Sequence, residues 1–265
     1  VSLKKIIMSS DRTKISAIYE PDIHSVETYM EATEVGEIMR KYDLESVPVI
    51  NVQGKLVGRI TIDDALDVMQ EQAVEDMQAM AGISAPVEED DTVWRLSKAR
   101  LPWLIIGIFG GLLGATIMGF FEKDLVLIPA MAFFIPLITA TGGNVGVQSS
   151  SLIVQSLAQN DGIEESNAKR LYRVTLVALV NALVICSIVF SFIIMVGHPL
   201  RLGFVVATAL FFVILLASIM GTITPLILDR FGVNPALASG PFITTANDLL
   251  GIAVYFSIAN ILYKL

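Results

Sequence analysis

The sequence predicts a mainly α membrane protein, in which five transmembrane helices follow a cytosolic α/β domain and a connecting amphipathic helix. Two observations support this fold class. The first is a set of long apolar stretches without Asp, Glu, Lys or Arg, at residues 101–121, 125–160, 174–200 and 202–228. The second is a change in composition, because residues 1–92 alternate short apolar runs with charged segments and contain no stretch of spanning length.

Each apolar stretch reaches or approaches the roughly 20 residues that a helix needs to cross about 30 Å of hydrocarbon. A fifth stretch, residues 231–263, contains one charged side chain, Asp248. The predicted spans lie at about 97–121, 125–158, 169–197, 200–229 and 235–263. They form a transmembrane domain at 97–265, preceded by a cytosolic region at 1–63, a connecting helix at 64–82 and a linker at 83–96. The chain opens on Val in mid-pattern, so we expect it to be a fragment of a longer protein.

The distribution of basic residues predicts the orientation, because Lys and Arg accumulate in short cytoplasmic loops. One set of loops carries Arg95, Lys98, Arg100, Lys169, Arg170, Arg173 and Arg230. The opposite set carries Lys123, Arg201 and Lys264. We therefore expect a multi-pass protein of the cell (inner) membrane, surrounded by lipid, with a cytoplasmic soluble domain and an external C-terminus.

The overall charge of the chain is −8, and the acidic residues concentrate in the soluble part. This excludes nucleic acid as an expected partner, because binding to phosphates needs basic patches. Clustered carboxylates suit divalent cations instead. No nucleophile–base pair or His/Cys cluster appears, so we expect no enzymatic activity.

The soluble part shows a β-α-β-β-α order. A buried strand at Val47–Ile50 is followed by a turn at Asn51–Gly54, a strand at Leu56–Thr61 and a helix that Asp63 or Asp64 caps. The helix then continues through Asp67, Glu71 and Glu75, whose i, i+4 spacing places three carboxylates on one face. That face is either solvated or bound to a cation, and the spacing alone leaves both open.

The second span combines loose backbone with polar side chains. Gly142, Gly143 and Gly146 stand among Asn144, Gln148 and a run of hydroxyl residues. Polar groups at membrane depth are tolerated only against protein or a water-filled cavity, which favours a transport pathway along one face. The alternative is close helix packing through small residues.

The fifth span contains the lone carboxylate. Asp248 would cost about 2.5–3.5 kcal/mol facing lipid, and it shares a helix face with Thr244 at i, i+4. Oxygen ligands without His or Cys suit a hard cation such as Mg²⁺. One carboxylate cannot hold and desolvate such an ion, so a twofold homodimer with the pore at its interface is predicted. A proton carrier or an ion-pair partner remains an alternative role for Asp248.

These segments resemble known families. The order of elements at residues 25–64, with Gly58 and the "TIDD" step, resembles a cystathionine-β-synthase (CBS) repeat, and Leu3–Ile18 looks like the tail of a preceding repeat. The segments "PLITATGGNVGVQSSSLIVQSLA", "HPL" and "GVNPALASGPFITTANDLLG" resemble the MgtE family of magnesium channels. The resemblance covers nearly the whole chain.

The resemblance implies a homodimeric Mg²⁺-selective channel that cytosolic Mg²⁺ closes through acidic CBS and connecting-helix surfaces. The implied pore residues are Asp248, Thr244, Asn144, Gly143 and Thr245. The implied regulatory carboxylates are Glu31, Asp43, Asp64, Asp67, Glu75 and Asp76. Thr61 and Asp64 also match the ribose-binding pattern of CBS repeats, which makes ATP an additional candidate ligand, although Asp64 can equally serve as a helix cap.

Three positions depart from the family pattern. Gly240 stands where a polar Asn can occur, while Thr33 and Gln72 stand where carboxylates can occur. Two other functions remain open from the residues. An ion-coupled divalent cation carrier also uses intramembrane carboxylates, and a sensing module without transport would rest on the CBS repeat. Single-channel currents separate a channel from a carrier.

Overall fold

The computed structural model describes residues 1, 3–19, 23–159, 167–238 and 240–263. Five of its helices are long and apolar enough to cross a membrane, which confirms the predicted fold class. The chain forms two compact units, Val1–Val74 and Glu75–Leu265. The division falls inside one long helix. Lys264, which entered the prediction of orientation, lies outside the described residues.

The first unit is a small α/β domain. Helices α1 (Leu3–Met8) and α2 (Ala32–Lys41) accompany strands β1 (Val26–Glu27), β2 (Ser46–Ile50) and β3 (Leu56–Thr61), and α3 (Ile62–Met80) follows. The sheet order is β1-β2-β3, with β1 parallel and β3 antiparallel to β2. Its core consists of Val26, Val35, Met39, Val47 and Ala65. The predicted strands and helices of this region are confirmed.

Local chemistry explains the hairpin between β2 and β3. The side chain of Asn51 accepts hydrogen bonds from the backbone N–H groups of Gln53 and Lys55, both at 3.0 Å. Gly54 closes the turn with φ +70, a conformation that glycine adopts without a steric cost. The turn predicted at Asn51–Gly54 is therefore present.

The start of α3 is a reciprocal cap. The carboxylate of Asp64 accepts hydrogen bonds from the hydroxyl and the backbone N–H of Thr61, the latter at 3.0 Å. The backbone N–H of Asp64 in turn lies 3.5 Å from the Thr61 hydroxyl oxygen. This is the pattern of a capping box with Asp in the place of Glu, so of the two candidates Asp64 is the cap.

The second unit contains the end of α3 and the membrane helices. These are α4 (Val93–Phe120), α6 (Ile135–Gln159), α7 (Asn167–Met195), α8 (Leu200–Arg230) and α9 (Pro241–Tyr263), with a short α5 (Glu122–Leu127) between α4 and α6. Helix α8 lies at the centre and packs against α6, α7 and α9. The side of α8 that faces its neighbours is apolar and includes Val205, Leu210 and Ile214, all fully buried.

The second span differs from its prediction. The sequence predicts one long span from residue 125, whereas the structure divides this segment into α5, a 3₁₀ segment at Pro129–Phe134 and α6. Pro129 and Pro136 lie at these divisions, and each lacks the backbone N–H that a continuous α-helix needs. The hydroxyl of Tyr255 in α9 donates to the carbonyl of Met131 at 3.1 Å, which fixes the 3₁₀ segment to the bundle.

Proline also divides the fifth span. A 3₁₀ turn at Pro235–Ala238 precedes α9, which begins at Pro241. At its other end, the guanidinium of Arg201 donates to the carbonyl of Leu262, at 3.2 Å from Nε and 2.7 Å from a terminal nitrogen. A cation at this position also complements the partial negative charge of a helix C-terminus.

We predict that Asp64→Ala lowers the melting temperature of the protein at neutral pH, because it removes the cap of α3. The hydrogen bonds from the Thr61 side chain and backbone hold the pKa of Asp64 below its usual value. The ionised carboxylate therefore stabilises the fold above about pH 4, and this contribution is lost as the pH falls through the lowered pKa. The melting difference between the native chain and the variant should be largest near neutral pH and should narrow in acid.

Asp63→Ala is the matched control, since Asp63 is exposed and makes no hydrogen bond within the described residues. Thermal unfolding of both variants across pH measures the effect. Equal melting temperatures for the two variants at neutral pH would contradict the capping role.

Candidate functional site

Helices α6 and α9 approach closely at the glycines of α6. A Cβ added to Gly143 would lie 3.6 Å from Cγ2 of Thr244 and 3.9 Å from a carboxylate oxygen of Asp248. Thr244 and Asp248 therefore share one face of α9, as their spacing predicts, and that face lies against Gly143. The structure brings these three residues of the predicted site together.

The carboxylate of Asp248 is isolated. It is half-buried about two turns into α9, and no side chain among the described residues donates a hydrogen bond to it or forms an ion pair with it. The described part of the chain also contains no group of three or more His, Cys, Asp or Glu side chains that could hold a metal ion. Among the described residues, Asp248 is thus a lone carboxylate well inside a membrane-spanning helix.

Asn144 lies on another face of α6. Together with its neighbours at helical spacing it forms an exposed stripe, which consists of Pro136, Ala140, Asn144, Gln148, Leu152 and Gln155. Gly142, Gly143 and Gly146 are buried on the opposite side. An amide stripe in the middle of a membrane span is costly against lipid, so this face requires a polar or protein neighbour.

The buried side of α6 serves close packing. The hydroxyl groups of Ser149 and Ser218 lie 3.1 Å apart between α6 and α8, and a Cβ on Gly221 would collide with the carbonyl oxygen of Gly146. The small residues of the second span therefore allow close packing on this side, which is the alternative that the sequence leaves open. The polar groups on the exposed stripe are not explained by that packing.

Thr245 contacts α4. Its methyl group packs into the space left by Gly110 on α4, where a Cβ would collide with it. Thr244 uses its hydroxyl within its own helix, because that group donates to the carbonyl of Pro241 at 3.1 Å. The assignments of Thr245 and Thr244 as ion ligands stay predictions, and that of Thr244 depends on its position beside Asp248 and on its backbone carbonyl.

Asn247 is a residue that the predicted site does not include. Its side chain is only 2% exposed and lies between α6 and α9, and its amide nitrogen has no hydrogen-bond partner among the described residues. A signal for it exists in the sequence, since an amide adjacent to the membrane carboxylate is unusual in an apolar span. The spacing does not tell which face of α9 it occupies.

The predicted regulatory carboxylates occupy separate places. Glu31 precedes α2 without capping it, Asp43 adopts φ 51 in the loop after α2, and Asp64 is engaged in the cap of α3. Asp67 is exposed on α3 and Glu75 is half-buried. Their assignment to a regulatory cation site stays a prediction, as does the assignment of Thr61 and Asp64 to a nucleotide.

The last turn of α3 contacts the start of α9 within the second unit. The side-chain amide of Asn234 donates to the carboxylate of Asp76 at 2.9 Å. A Cβ on Gly240 would collide with the carbonyl oxygen of Met80, and a Cβ on Gly82 would lie 2.6 Å from Cγ of Pro241. The backbone at the end of α3 thus lies directly against the residues that begin α9.

Comparison with known proteins gives two domain matches. Residues 135–258 match the model of the MgtE family, described as a divalent cation transporter, and residues 15–71 match the CBS domain. The first match contains the α6–α9 contact and Asp248. The second contains the α/β domain of the first unit.

Three curated proteins named "Magnesium transporter MgtE" are similar to this chain. That of Thermus thermophilus is 34% identical over 267 residues, which cover 100% of this chain and 59% of the relative. Those of Bacillus subtilis and Enterococcus faecalis are each 33% identical, over 98% and 100% of this chain and 58% of each relative. The chain therefore spans less than two thirds of the length of these relatives.

We predict that Gly146→Ala destabilises the membrane unit. Its methyl group would collide with the Asn247 amide and lie 2.6 Å from Cγ2 of Ile243, and such overpacking costs about 1–3 kcal/mol. Gly107→Ala is the matched control, because nothing lies within 4 Å of its added Cβ. Both changes replace a helical glycine by alanine and gain the same helix propensity. The Gly146 variant should therefore melt at a lower temperature in detergent than the Gly107 variant, because it alone suffers the steric collision. Equal melting temperatures would show that α6 and α9 do not pack this closely.

Proposed function

The chain carries the transporter domain of the MgtE family together with a CBS domain, and from this premise we propose that it is a Mg²⁺ channel of the cell membrane. In this proposal two copies form the pore, and cytosolic Mg²⁺ closes it. The observation that carries the proposal is the isolated carboxylate of Asp248, which lies against Gly143 on the glycine-rich face of α6.

The chemistry of the site favours a hydrated hard cation. Asp248 is the carboxylate that one chain offers at this depth, and Gly143 and Thr244 lie beside it. Mg²⁺ sheds water reluctantly and is commonly held by one or two carboxylates while it keeps several waters.

A second copy of the chain completes the site. Twofold symmetry, the commonest in oligomers, would bring two Asp248 carboxylates to one axis and double the charge available to the ion. The exposed amide stripe of α6 supports this arrangement, because Asn144 and Gln148 would then face a partner or a water-filled path instead of lipid. The distribution of Lys and Arg in the loops favours a cytoplasmic soluble domain.

Closure by cytosolic Mg²⁺ uses the connection between α3 and α9. Cations bound among Glu31, Asp43, Asp67, Glu75 and related carboxylates would cancel their mutual repulsion and favour one arrangement of the cytosolic domains. The contacts of Met80 with Gly240 and of Asp76 with Asn234 then transmit a displacement of α3 to α9. ATP stays a further candidate ligand of the CBS domain, although Thr61 and Asp64 already bond to each other.

We predict that Asp248→Asn lowers the Mg²⁺ current at least tenfold without changing the fold, because the amide keeps the shape and loses the charge. The measurement is the current through the purified protein in patched liposomes, with size-exclusion chromatography as the check of folding. Glu122→Gln, the same chemical change on an exposed residue of α5, should leave the current unaltered. A full current in the Asn variant would remove Asp248 from the ion path.

The same recordings test the transport mode. A channel gives unitary currents. A coupled carrier gives Mg²⁺ uptake in a slower flux assay but no unitary currents. If Mg²⁺ uptake depends on Asp248 but no unitary currents are recorded, the protein is a carrier and not a channel.

We predict that Gly240→Ala weakens closure of the pore by internal Mg²⁺. The added methyl group would collide with the backbone of Met80, which cannot yield as a flexible side chain can, so the end of α3 must move away from α9. The open probability at millimolar internal Mg²⁺ should rise, while Gly107→Ala should behave as the native chain. Unchanged inhibition in the Gly240 variant would argue against this route of coupling.

A further inference from the structure

Asn247 lies in the seam between α6 and α9, beside the carboxylate of the proposed pore. Its side chain is 2% exposed, and its amide nitrogen is in contact with the place where a Cβ on Gly146 would stand. Its backbone carbonyl oxygen lies 3.8 Å from the corresponding position on Gly142, an ordinary contact distance. The side chain therefore packs directly on the backbone of α6, and the absence of a side chain at Gly146 makes that approach possible.

The amide nitrogen has no hydrogen-bond partner in the part of the chain that the structure describes. A void beside it, lined by Val213, Leu216, Ala217, Leu250 and Gly251, has no room for a water molecule. An unpaired buried amide destabilises the conformation that contains it, and an apolar group of the same shape would not carry this penalty. The stability of this conformation therefore gives no reason for an amide at position 247.

Helix α6 offers the amide a partner in a different conformation. In the present structure the backbone carbonyls of Gly142–Gly146 lie within α6 and accept hydrogen bonds from that helix. A helix can bend at glycines, and a polar side chain inserted there can replace a backbone hydrogen bond. A bend of α6 at this segment would free a carbonyl next to the amide of Asn247. The amide then gains a hydrogen bond that it lacks here.

We propose that Asn247 is a positioning residue that favours the conducting conformation, in which its amide nitrogen donates to a backbone carbonyl of α6 between Gly142 and Gly146. This inference rests on the proposed function, because it assigns a role to Asn247 in opening the path that Asp248 serves. Asp248 is the next residue of α9, so the contact that fixes Asn247 against α6 also fixes the carboxylate relative to Gly143. The hydrogen bond of Asn247 would change the equilibrium between the conducting conformation and the present one, and it would leave the affinity of the ion ligands unchanged.

The test compares Asn247→Leu with the native chain. Leucine has the same branching and removes the unpaired amide, so the melting temperature should be equal to or higher than that of the native chain. The open probability should fall about tenfold, which corresponds to the free energy of one lost hydrogen bond. The unitary conductance and the Mg²⁺ concentration for half-maximal current should not change, because Asp248 is intact. Thr222→Val is the matched control, since Thr222 is fully buried in the same bundle and bonds only within α8.

Several outcomes overturn the inference. A native open probability does so in a Leu variant whose melting temperature is equal to or above that of the native chain. If leucine is too large to fold beside Gly146, Asn247→Ala removes the amide without added bulk, and its open probability per folded protein must also fall about tenfold. Absence of Mg²⁺ flux in the native chain would overturn the proposed function together with this inference, whereas native flux with an unaffected Asn247 variant overturns the inference alone.

Discussion

The close approach of α6 and α9 is the constraint on which the rest of the membrane unit depends. Gly143 and Gly146 allow the backbone of α6 to lie against Thr244, Asn247 and Asp248, and a side chain on Gly146 would collide with Asn247 and Ile243. A side chain on Gly142 would instead meet Val213 of α8, at 2.9 Å. A carboxylate at this depth would cost several kcal/mol against lipid, so it needs a surface with space and without apolar bulk. The same glycines that permit tight packing thus create the place where a charge is tolerated.

Helix α6 serves two different neighbours with two different faces. Its buried face is small and contacts α8 and α9 through Gly146, Ser149 and their partners, which satisfies the requirements of packing in a membrane. Its exposed face carries Asn144 and Gln148, which packing within one chain does not use. Small residues and amides alternate in the sequence of this span because the helical period sends them to opposite sides.

The sequence predicts much of this arrangement and misses particular parts for physical reasons. The five spans follow from apolar length alone, and the pairing of Thr244 with Asp248 follows from i, i+4 spacing. The division of the second span by Pro129 and Pro136 could have been inferred from the missing N–H groups, but the apolar pattern concealed it. The contact of Thr245 with α4, and the burial of Asn247, depend on which helix covers each side of α9. Hydropathy carries no information about that choice, because α4 and α6 are both apolar.

The contact between the end of α3 and the start of α9 joins the connecting helix to the helix that carries Asp248. Gly240 admits the carbonyl of Met80, and Asn234 holds the carboxylate of Asp76 at 2.9 Å, so the two segments are joined by packing and by one hydrogen bond. Asp248 lies about two turns further along α9, and a rigid helix transmits a displacement over that distance with little loss. Under the proposed function, a cation that closes the pore would therefore act through the position of the end of α3 against Asn234 and Gly240.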